Sequence, residues 1–474
     1  MPTLRRTKIV CTIGPATDAP EVLSALIDAG MNVARLNFSH GTREEHRQRL
    51  QWIREIAGKK NLPVAILQDL SGPKLRTGPM AKPVVLHSGD IFVLTSRQVP
   101  GDEQAVSVTW IDLPTHVQIG ENILLADGTI QLQVIDKNAT DLQCRVLDGG
   151  MLSSNKGINL PQTSLAIPAL TEKDKNDLEF GLESGVDCVA LSFVRKPEDI
   201  RLVKEVMAAK GRTVPVIAKI EKHEALERID GIIDIADGIM IARGDLAVET
   251  PLERVPLVQK MLIKKCNRVG KPVITATQML KSMVDDPRPT RAETTDIANA
   301  VLDGTDAVML SEETAMGKFP VEAVTVMDKV LRTTEAELSP RDRLPAERHH
   351  DEITVEAAVS HAVVTMAREL KVAAILTPTR SGSTARLVSR YRPHVPIIAM
   401  SYRLETVRWL ALVWGVHPLY HPEPHANSDD LIAHCKREAL ATGLVKRGDT
   451  VLITAGLPPG EHSTTNLIKV EVLV

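Results

Sequence analysis

Aromatic residues are scarce in this chain: Phe, Trp and Tyr together make 3% of 474 residues. Binders of single-stranded nucleic acid stack bases on aromatic rings, and too few rings are present to build such platforms. An excess of one charge is lacking as well. Lys and Arg number 57 against 60 Asp and Glu, so no basic field marks a nucleic-acid partner. Nothing approaches 18 consecutive apolar residues, which excludes a helical membrane span. Arg5, Arg6 and Lys8 precede the first strand without a signal-like apolar stretch. The five cysteines (Cys11, Cys144, Cys188, Cys266, Cys435) are odd in number and never spaced as CxxC. They fit no disulfide or zinc framework, and a reducing, cytoplasmic setting is expected. GxxxxGK[ST], the kinase HRD and DFG sets and HExxH are missing too, so any nucleotide is held in another way.

What is present is aliphatic. Val, Ile, Leu and Ala have to build the cores, and the length suffices for about three domains. The first seventy residues alternate strand and helix: IVCTIG (9–14), EVLSALIDAG closing on Gly30, NVARLNFS (32–39), a helix over roughly 42–58 ending at Gly58, and VAILQDL (64–70). Near-continuous apolar strands between amphipathic helices indicate a parallel sheet with helices outside. From about 73 to 161 short alternating segments are broken by Gly-Asp, Asp-Gly and Gly-Gly turns. With no helix signal, this stretch reads as a small inserted β-barrel. The alternation resumes at CVALSFV (188–194), VPVIAKIE (214–221), GIMIARGD (238–245), PVITATQM (272–279) and DAVMLSEE (306–313).

Three strands before the insert and five after it make eight, the number that closes a (β/α)8 TIM barrel in an α/β fold. Residues 334–352 are polar, hold Pro340 and Pro345, and mark a linker in which His349 and His350 read as solvated. The remainder repeats helix and strand (VAAILTPT, VPIIAMS, TVLITAG) and reads as a C-terminal α/β domain. The expected division is 1–72 with 162–340 for the barrel, 73–161 for the insert and 341–474 for the last domain.

Two of the barrel runs end in charged clusters. Lys219 and Glu221, two apart on one strand, share a face, and the next run delivers Arg243 and Asp245. Two carboxylates with a lysine between them suit a hard divalent cation and a phosphoryl group bound together. TIM-barrel sites lie at the C-terminal strand ends. Those ends carry Arg35, Asn37 and Ser39 after the second strand, Asp69 after the third, Thr277 after the seventh, and Ser311 with Glu313 after the eighth. Glu221 and Asp245 are the natural Mg²⁺ ligands. Lys219 and Arg35 would neutralise phosphoryl charge, and Gly244 lets backbone N–H groups approach an anion. Plainer readings exist: salt bridges of the two carboxylates to Lys219 and Arg243, and a buried Thr277 bonded to backbone. Six of eight strands ending this way favours a site.

The run of motifs resembles the pyruvate kinase family over essentially the whole length: KIVCTIGPAT (8–17), MNVARLNFSHG (31–41), KGINLP (156–161), AKIEK (218–222), IMIARGDLAVE (239–249), TATQMLKSM (275–283), PTRAE (289–293) and NAVLDGTDAVMLSEETAMGKFP (299–320). The resemblance implies transfer of the phosphoryl group of phosphoenolpyruvate to ADP, in a homotetramer under allosteric control. It implies that Glu221 and Asp245 hold Mg²⁺ (or Mn²⁺), that Lys219 stabilises the transferring phosphoryl group, and that Arg35 binds the phosphate. Arg76 and Lys156 are placed at the nucleotide phosphates, and Thr277 on the route that protonates the enolate. Substrate binding falls to Ala242, Arg243, Gly244, Asp245, Thr277 and Ser311 as well. The insert becomes a lid that excludes water.

Asn37, Ser39, Asp69 and Leu70 match the family's monovalent-cation position, and there the chain departs from the potassium-dependent pattern. Leu70 stands where Thr is usual and Lys74 where Glu is usual. A lysine ammonium can supply the charge K⁺ otherwise provides, so activity without K⁺ is expected. Glu312 stands where the family has Gly. In the last domain Thr379, Arg380, Ser381, Gly382, Ser383 and Thr384 follow an apolar strand and open a helix, an anion-site pattern. The resemblance places a sugar-phosphate effector there. Members of the family that respond to fructose 1,6-bisphosphate usually carry a Trp/Arg/Gly-rich loop near the C-terminus, and TAGLPPGEHSTTN (454–466) lacks Trp and Arg, so the resemblance implies a monophosphorylated sugar or a nucleotide monophosphate rather than the bisphosphate. Competing readings are a metal-dependent lyase or aldolase acting on pyruvate-type enolates, against which the insert and Lys219 speak, and a catalytically silent sugar-phosphate sensor, against which the presence of Lys219, Glu221 and Asp245 speaks.

Overall fold

Eight strands, each buried along nearly its whole length, close into a parallel barrel: β1 (Lys8–Ile13), β2 (Val33–Asn37), β3 (Ala65–Asp69), β4 (Cys188–Leu191), β5 (Val216–Ile220), β6 (Gly238–Ala242), β7 (Val273–Ala276) and β8 (Ala307–Leu310). The computed structural model describes residues 5–163, 167–338, 354–422, 427–457 and 464–474. The two-residue period of a strand divides each run between two cores. Val10, Val33, Leu67, Ala190, Ile217, Met240 and Ile274 fill the interior, while Cys11, Ala34, Ile66, Val189, Ala218, Ile241 and Val308 pack under the outer helices. Small and branched side chains fit the crowded interior, so the shortage of aromatics costs the barrel nothing.

The helix expected to stop at Gly58 runs from Arg43 to Lys60 and ends at Asn61, whose φ of 51° makes the left-handed turn instead. Gly58 meets nothing on its open side and lies inside the helix as a tolerated glycine. The segment read as a linker from residue 334 also starts later. The helix Pro320–Glu337 runs through it, because the carboxylate of buried Glu335 accepts the Arg6 and Thr7 N–H groups, each at 2.7 Å. Pro340, Pro345, His349 and His350 lie outside the described residues.

The insert contains a six-stranded sheet ordered Ile158–Asn159, Asn122–Leu125, Ile130–Lys137, Asp141–Asp148, Ile91–Thr95, Ala105–Ser107. Arg76 bridges to Gly157 and Thr77 to Val108, so one segment at the entry to the insert joins both edges of that sheet. Phe92, Leu94, Ile123, Leu132 and Cys144 form its separate core. One helical turn, Leu113–His116, interrupts what the sequence suggests is all strand. Its Pro114 sits at the start of the helix, where the ring's fixed φ is no obstacle.

The C-terminal sheet is ordered Val416–Tyr420, Ile397–Ser401, Ala374–Pro378, Thr450–Gly456, Thr465–Val472, with the last strand antiparallel. Its first and last strands are additions to the three read from sequence. This domain covers the N-terminal end of the barrel. Asp306, just before β8, accepts the Trp414 N–H at 3.2 Å and binds both terminal nitrogens of Arg392 at 3.1 Å. Trp409, Ala411 and Leu412, at and just beyond the end of the helix Leu404–Leu410, belong to the barrel's interior cluster. Among the described residues no helix is long and apolar enough to cross a membrane.

Buried Lys8 lies at the same junction and donates to the Val416 carbonyl at 2.7 Å. Burial, with a contribution from Arg5, lowers its pKa to about 7 against the opposing charges of Glu335 and Asp306. The unfolded chain keeps that proton up to the ordinary lysine value of about 10.4. Between these two values the unfolded state binds more protons, so stability rises with pH. Below the lower one both states are protonated and the contribution is flat at its least favourable. Relative to the parent, Lys8→Met is therefore expected to gain most in Tm near neutrality and to lose that advantage steadily toward alkaline pH. A Tm difference that does not change with pH would count against this.

Candidate active site

Strand order brings β2, β3, β4, β5 and β6 side by side, and their C-terminal ends supply one continuous polar cluster. Asp69 ends β3 with its side chain buried, and Arg35 on β2 grips it through Nε and a terminal nitrogen, both at 2.7 Å. The other terminal nitrogen of Arg35 donates to Thr12 Oγ1 at 2.8 Å. Lys219, on β5, places its Nζ 2.6 Å from Ser192 Oγ, 3.0 Å from Glu221 and 3.2 Å from Asp69. Ser192 in turn donates to the Leu70 carbonyl at 2.7 Å. Burial works to lower the Lys219 pKa, but the charges of Asp69 and Glu221 outweigh it and hold the ammonium charged. Burial would likewise raise Asp69, yet Lys219 and Arg35 keep its carboxyl below the usual range.

Glu221 follows β5 directly, is 2% exposed, and accepts the Phe193 N–H at 2.7 Å. Phe193 adopts φ 55°, a left-handed conformation unusual for a bulky residue, to present that N–H. Burial pushes the Glu221 carboxyl up and Asp245 adds to the effect, against the pull of Lys219. Buried Glu221 and Asp245, the latter about 30% exposed, repel one another across the cleft. Among the described residues no group of three or more His, Cys, Asp or Glu could form a metal cage. A pair of carboxylates is the donor set of Mg²⁺, which completes its shell with water and substrate oxygens. The residues present fit that ion.

Asp245 reaches the site differently from the strand-borne pattern expected. β6 stops at Ala242, and Arg243–Glu249 is a helix with Asp245 in its first turn, where a carboxylate is favoured. Arg243 is thereby turned away from the cleft. Its guanidinium donates to the carbonyls of Ala276 at 3.1 Å and Thr277 at 2.7 Å and pairs with Asp296 at 2.7 Å. It braces β6 against β7 and does not pair with Asp245. The Gly244 N–H donates to Thr277 Oγ1 at 2.8 Å, and that hydroxyl donates to the Ala276 carbonyl at 2.7 Å. Thr277 has φ 70° and Gln278 φ 55°. A β-branched residue held in that region stores backbone strain of the kind that clusters at active sites.

Ser311 offers its N–H to Glu313 at 2.7 Å, and the other oxygen of buried Glu313 accepts the Leu280 N–H at 3.0 Å, which locks the ends of β7 and β8 together. Glu312 projects outward and pairs with Lys281 on the surface. Its replacement of the family's Gly adds an exposed ion pair, worth little.

The cation position looks different from the sequence pattern. Asn37 Oδ1 accepts the Ser39 N–H at 3.2 Å, and Asp69 is already surrounded by Arg35 and Lys219. Lys74 points at Asp245, at 3.5 Å, and not into the set Asn37, Ser39, Asp69 and Leu70. A second ammonium that sequence reasoning missed, Lys173, donates to the Phe38 carbonyl at 2.7 Å, between Asn37 and Ser39. Where the chain enters and leaves the insert, Arg76 donates to the Asn155 carbonyl at 3.0 Å and the Lys156 N–H donates to Thr77 Oγ1 at 2.9 Å, so the two residues stand together.

In the last domain Thr379 Oγ1 accepts the Gly382 N–H at 3.0 Å, and the Arg380 carbonyl accepts Thr406 Oγ1 at 2.7 Å. Ser381 is exposed and Ser383 half-buried at the start of the helix Ser383–Ser389. Thr384 is committed inward, 2.7 Å from Thr465 Oγ1.

Comparison with known sequences decides which family carries this arrangement. Residues 4–324 match the family model described as pyruvate kinase, barrel domain, and residues 357–471 the one described as pyruvate kinase, alpha/beta domain. The chain belongs to the pyruvate kinase family. It is 51% identical to pyruvate kinase 2 of Synechocystis, over 100% of this chain and 80% of that protein. It is 44% identical to the pyruvate kinase of Clostridium acetobutylicum, over 99% of this chain and 100% of that one. A solved pyruvate kinase structure from Cryptosporidium parvum superposes with a TM-score of 0.93 at 38% identity, covering 99% of this chain and 96% of the other. As a member of the pyruvate kinase family the chain is a phosphotransferase. The lyase and silent-sensor readings fall away.

Proposed function

We propose that this enzyme transfers the phosphoryl group of phosphoenolpyruvate to ADP, giving pyruvate and ATP. The observation that carries the reading is Lys219: a buried ammonium held between Asp69 and Glu221 at the mouth of the barrel, where charge on a transferring phosphoryl group needs neutralising. Glu221 and Asp245 would hold Mg²⁺ or Mn²⁺, which when bound polarises phosphoryl oxygens as a Lewis acid. Arg35 would bind the phosphate, and Asp69 fixes its fork. Backbone N–H groups where β6 passes into the helix Arg243–Glu249 would orient the substrate carboxylate, the Gly244 N–H being shared with Thr277 Oγ1. Thr277 would stand on the route that carries a proton through water to the methylene carbon of the enolate, its hydroxyl leaving the Ala276 carbonyl to do so, and Ser311 would add to substrate binding. Arg76 and Lys156 meet the ADP phosphates at the hinge, and the insert, residues 73–161, closes as a lid to keep water out. A coupled assay for pyruvate formation from phosphoenolpyruvate, ADP and Mg²⁺ tests this. Failure to form pyruvate sinks it.

Allosteric control by a phosphorylated metabolite is part of the same proposal. Thr379 to Thr384 would take a sugar monophosphate or a nucleotide monophosphate. The support is mechanical: Thr406 and Leu410 lie against Arg380 and Gly382, on the helix whose end supplies Trp409 and Leu412 to the barrel interior. Gly382 has φ 81°, and a Cβ there would lie 3.1 Å from Leu410. Gly382→Ala is expected to abolish the shift in half-saturating phosphoenolpyruvate that glucose 6-phosphate or AMP produces, with kcat at saturation kept. An unaltered shift would refute the assignment. The homotetramer and cytoplasmic location rest on the family resemblance, and analytical ultracentrifugation tests the first.

A further inference from the structure

The helix Arg243–Glu249 touches the insert at both ends. At its start Asp245 faces Lys74, on the segment leading into the insert. At its end Glu249, 4% exposed, accepts Asn159 Nδ2 at 2.9 Å, and Asn159 lies on the last strand of the insert. The same Glu249 oxygen takes the ammonium of Lys222, the residue after Glu221. Asn159 is itself 5% exposed, so the bond is shielded from water, where a hydrogen bond to a charged group keeps its strength. One carboxylate therefore ties together the insert, the segment carrying one proposed metal ligand and the helix carrying the other. The chain has no covalent reason for this: Asn159 and Glu249 are 90 residues apart.

We infer that Glu249 is a positioning residue for the transfer reaction, and that its bond to Asn159 sets the insert's angle over the helix that carries Asp245. The inference rests on the insert acting as a lid. Glu249 touches no reacting atom. It acts by converting the position of the insert's last strand into the position of that helix, and because the helix is only two turns long, a shift at Glu249 is felt at Asp245.

The decisive measurement is a double-mutant cycle on the full-length enzyme, with kcat, KM for phosphoenolpyruvate and Tm read for each protein. Asn159→Asp, which sets two carboxylates against each other, is expected to lower kcat about tenfold, the worth of one hydrogen bond to a charged group. Glu249→Gln is expected to do the same through loss of the hold on Lys222. The combined Asn159→Asp/Glu249→Gln protein exchanges donor and acceptor across the same bond while Lys222 stays without its carboxylate, and is expected to recover the factor lost in Asn159→Asp, leaving kcat at the level of Glu249→Gln alone and not at the product of the two losses. Losses in kcat that track losses in Tm, with no recovery in the combined protein, would show that the pair only stabilises the fold. An unchanged kcat in Asn159→Asp would overturn the proposal outright. Amide hydrogen exchange of the parent enzyme separates the underlying reading. Protection of the hinge segments upon adding phosphoenolpyruvate and Mg²⁺ is expected, and its absence would remove the lid itself whatever the variants do.

Discussion

Lys219→Met is expected to lower kcat by about three orders of magnitude, at the upper end for loss of one preorganised charge. Methionine keeps the length and the apolar stem, so the barrel interior stays filled. What goes is the ammonium that faces Ser192, Glu221 and Asp69 within 3.2 Å. Asp69 keeps its two bonds from Arg35. Glu221 keeps only the Phe193 N–H among the partners named for it, and its burial and Asp245 already favour the protonated form. Removing one partner of a buried pair costs about 3–5 kcal/mol when the other charge is stranded. Uptake of a proton by Glu221 relieves that, so the stability loss is expected near the lower end. The variant should also bind Mg²⁺ more weakly as pH falls, since a proton and the ion compete for one carboxylate. Lys219→Arg keeps the charge but brings a rigid five-donor fork to a site built for a point charge, and recovery is expected to be partial. Titration calorimetry with Mg²⁺ and the coupled assay check both. A Met variant within tenfold of the parent kcat would reduce Lys219 to a structural ion pair.

How much of this was legible in the sequence depends on the kind of information each feature needs. The eight strands were readable because both faces of each are buried, which writes a continuous apolar run into the chain. Lys219 and Glu221 were readable as partners because two residues suffice to define a strand face. Arg243 was misread because a charged residue after an apolar run looks like a strand end, whereas the chain turns at once into a helix and carries the guanidinium back onto the Ala276 and Thr277 carbonyls. Ser192, Lys173, Asn159 and Glu249 went unnoticed as site residues, and Glu313 was noticed only beside Ser311. Their roles arise from pairings across the fold: Lys173 with Phe38 spans 135 residues and Asn159 with Glu249 spans 90. No local pattern signals such a pairing. Phe193 and Thr277 gave no warning of their positive φ, since strain is imposed by the surrounding structure and not by the residue type.

Lys74→Glu is expected to make the enzyme depend on K⁺, with turnover in K⁺-free buffer falling on the order of 100-fold. In the parent, replacing K⁺ by a bulky organic cation is expected to leave the rate nearly unchanged. The structure moves Lys74 away from the cation position, and the reason changes with it. Lys74 faces Asp245 at 3.5 Å, not Asn37 and Ser39, so its charge acts on the proposed metal carboxylate and the substrate above it. Lys74 and Asp245 are each about 30% exposed, so their mutual attraction is partly screened in the open cleft and strengthens when the insert closes and water leaves. A glutamate there would add a third carboxylate beside Glu221 and Asp245. Added K⁺ is expected to recover part of the loss by neutralising that group, and Lys74→Met, which adds no charge, to lose less and respond to K⁺ less. Lys173 supplies the contrast. Its ammonium bonds Asp177, one turn on along its own helix, and the Phe38 carbonyl between Asn37 and Ser39. If Lys173→Met, and not Lys74→Glu, brings on the K⁺ requirement, the substituting charge comes from the helix after the insert and not from its hinge. A parent enzyme that already needs K⁺ would refute both assignments, because neither ammonium would then replace the ion.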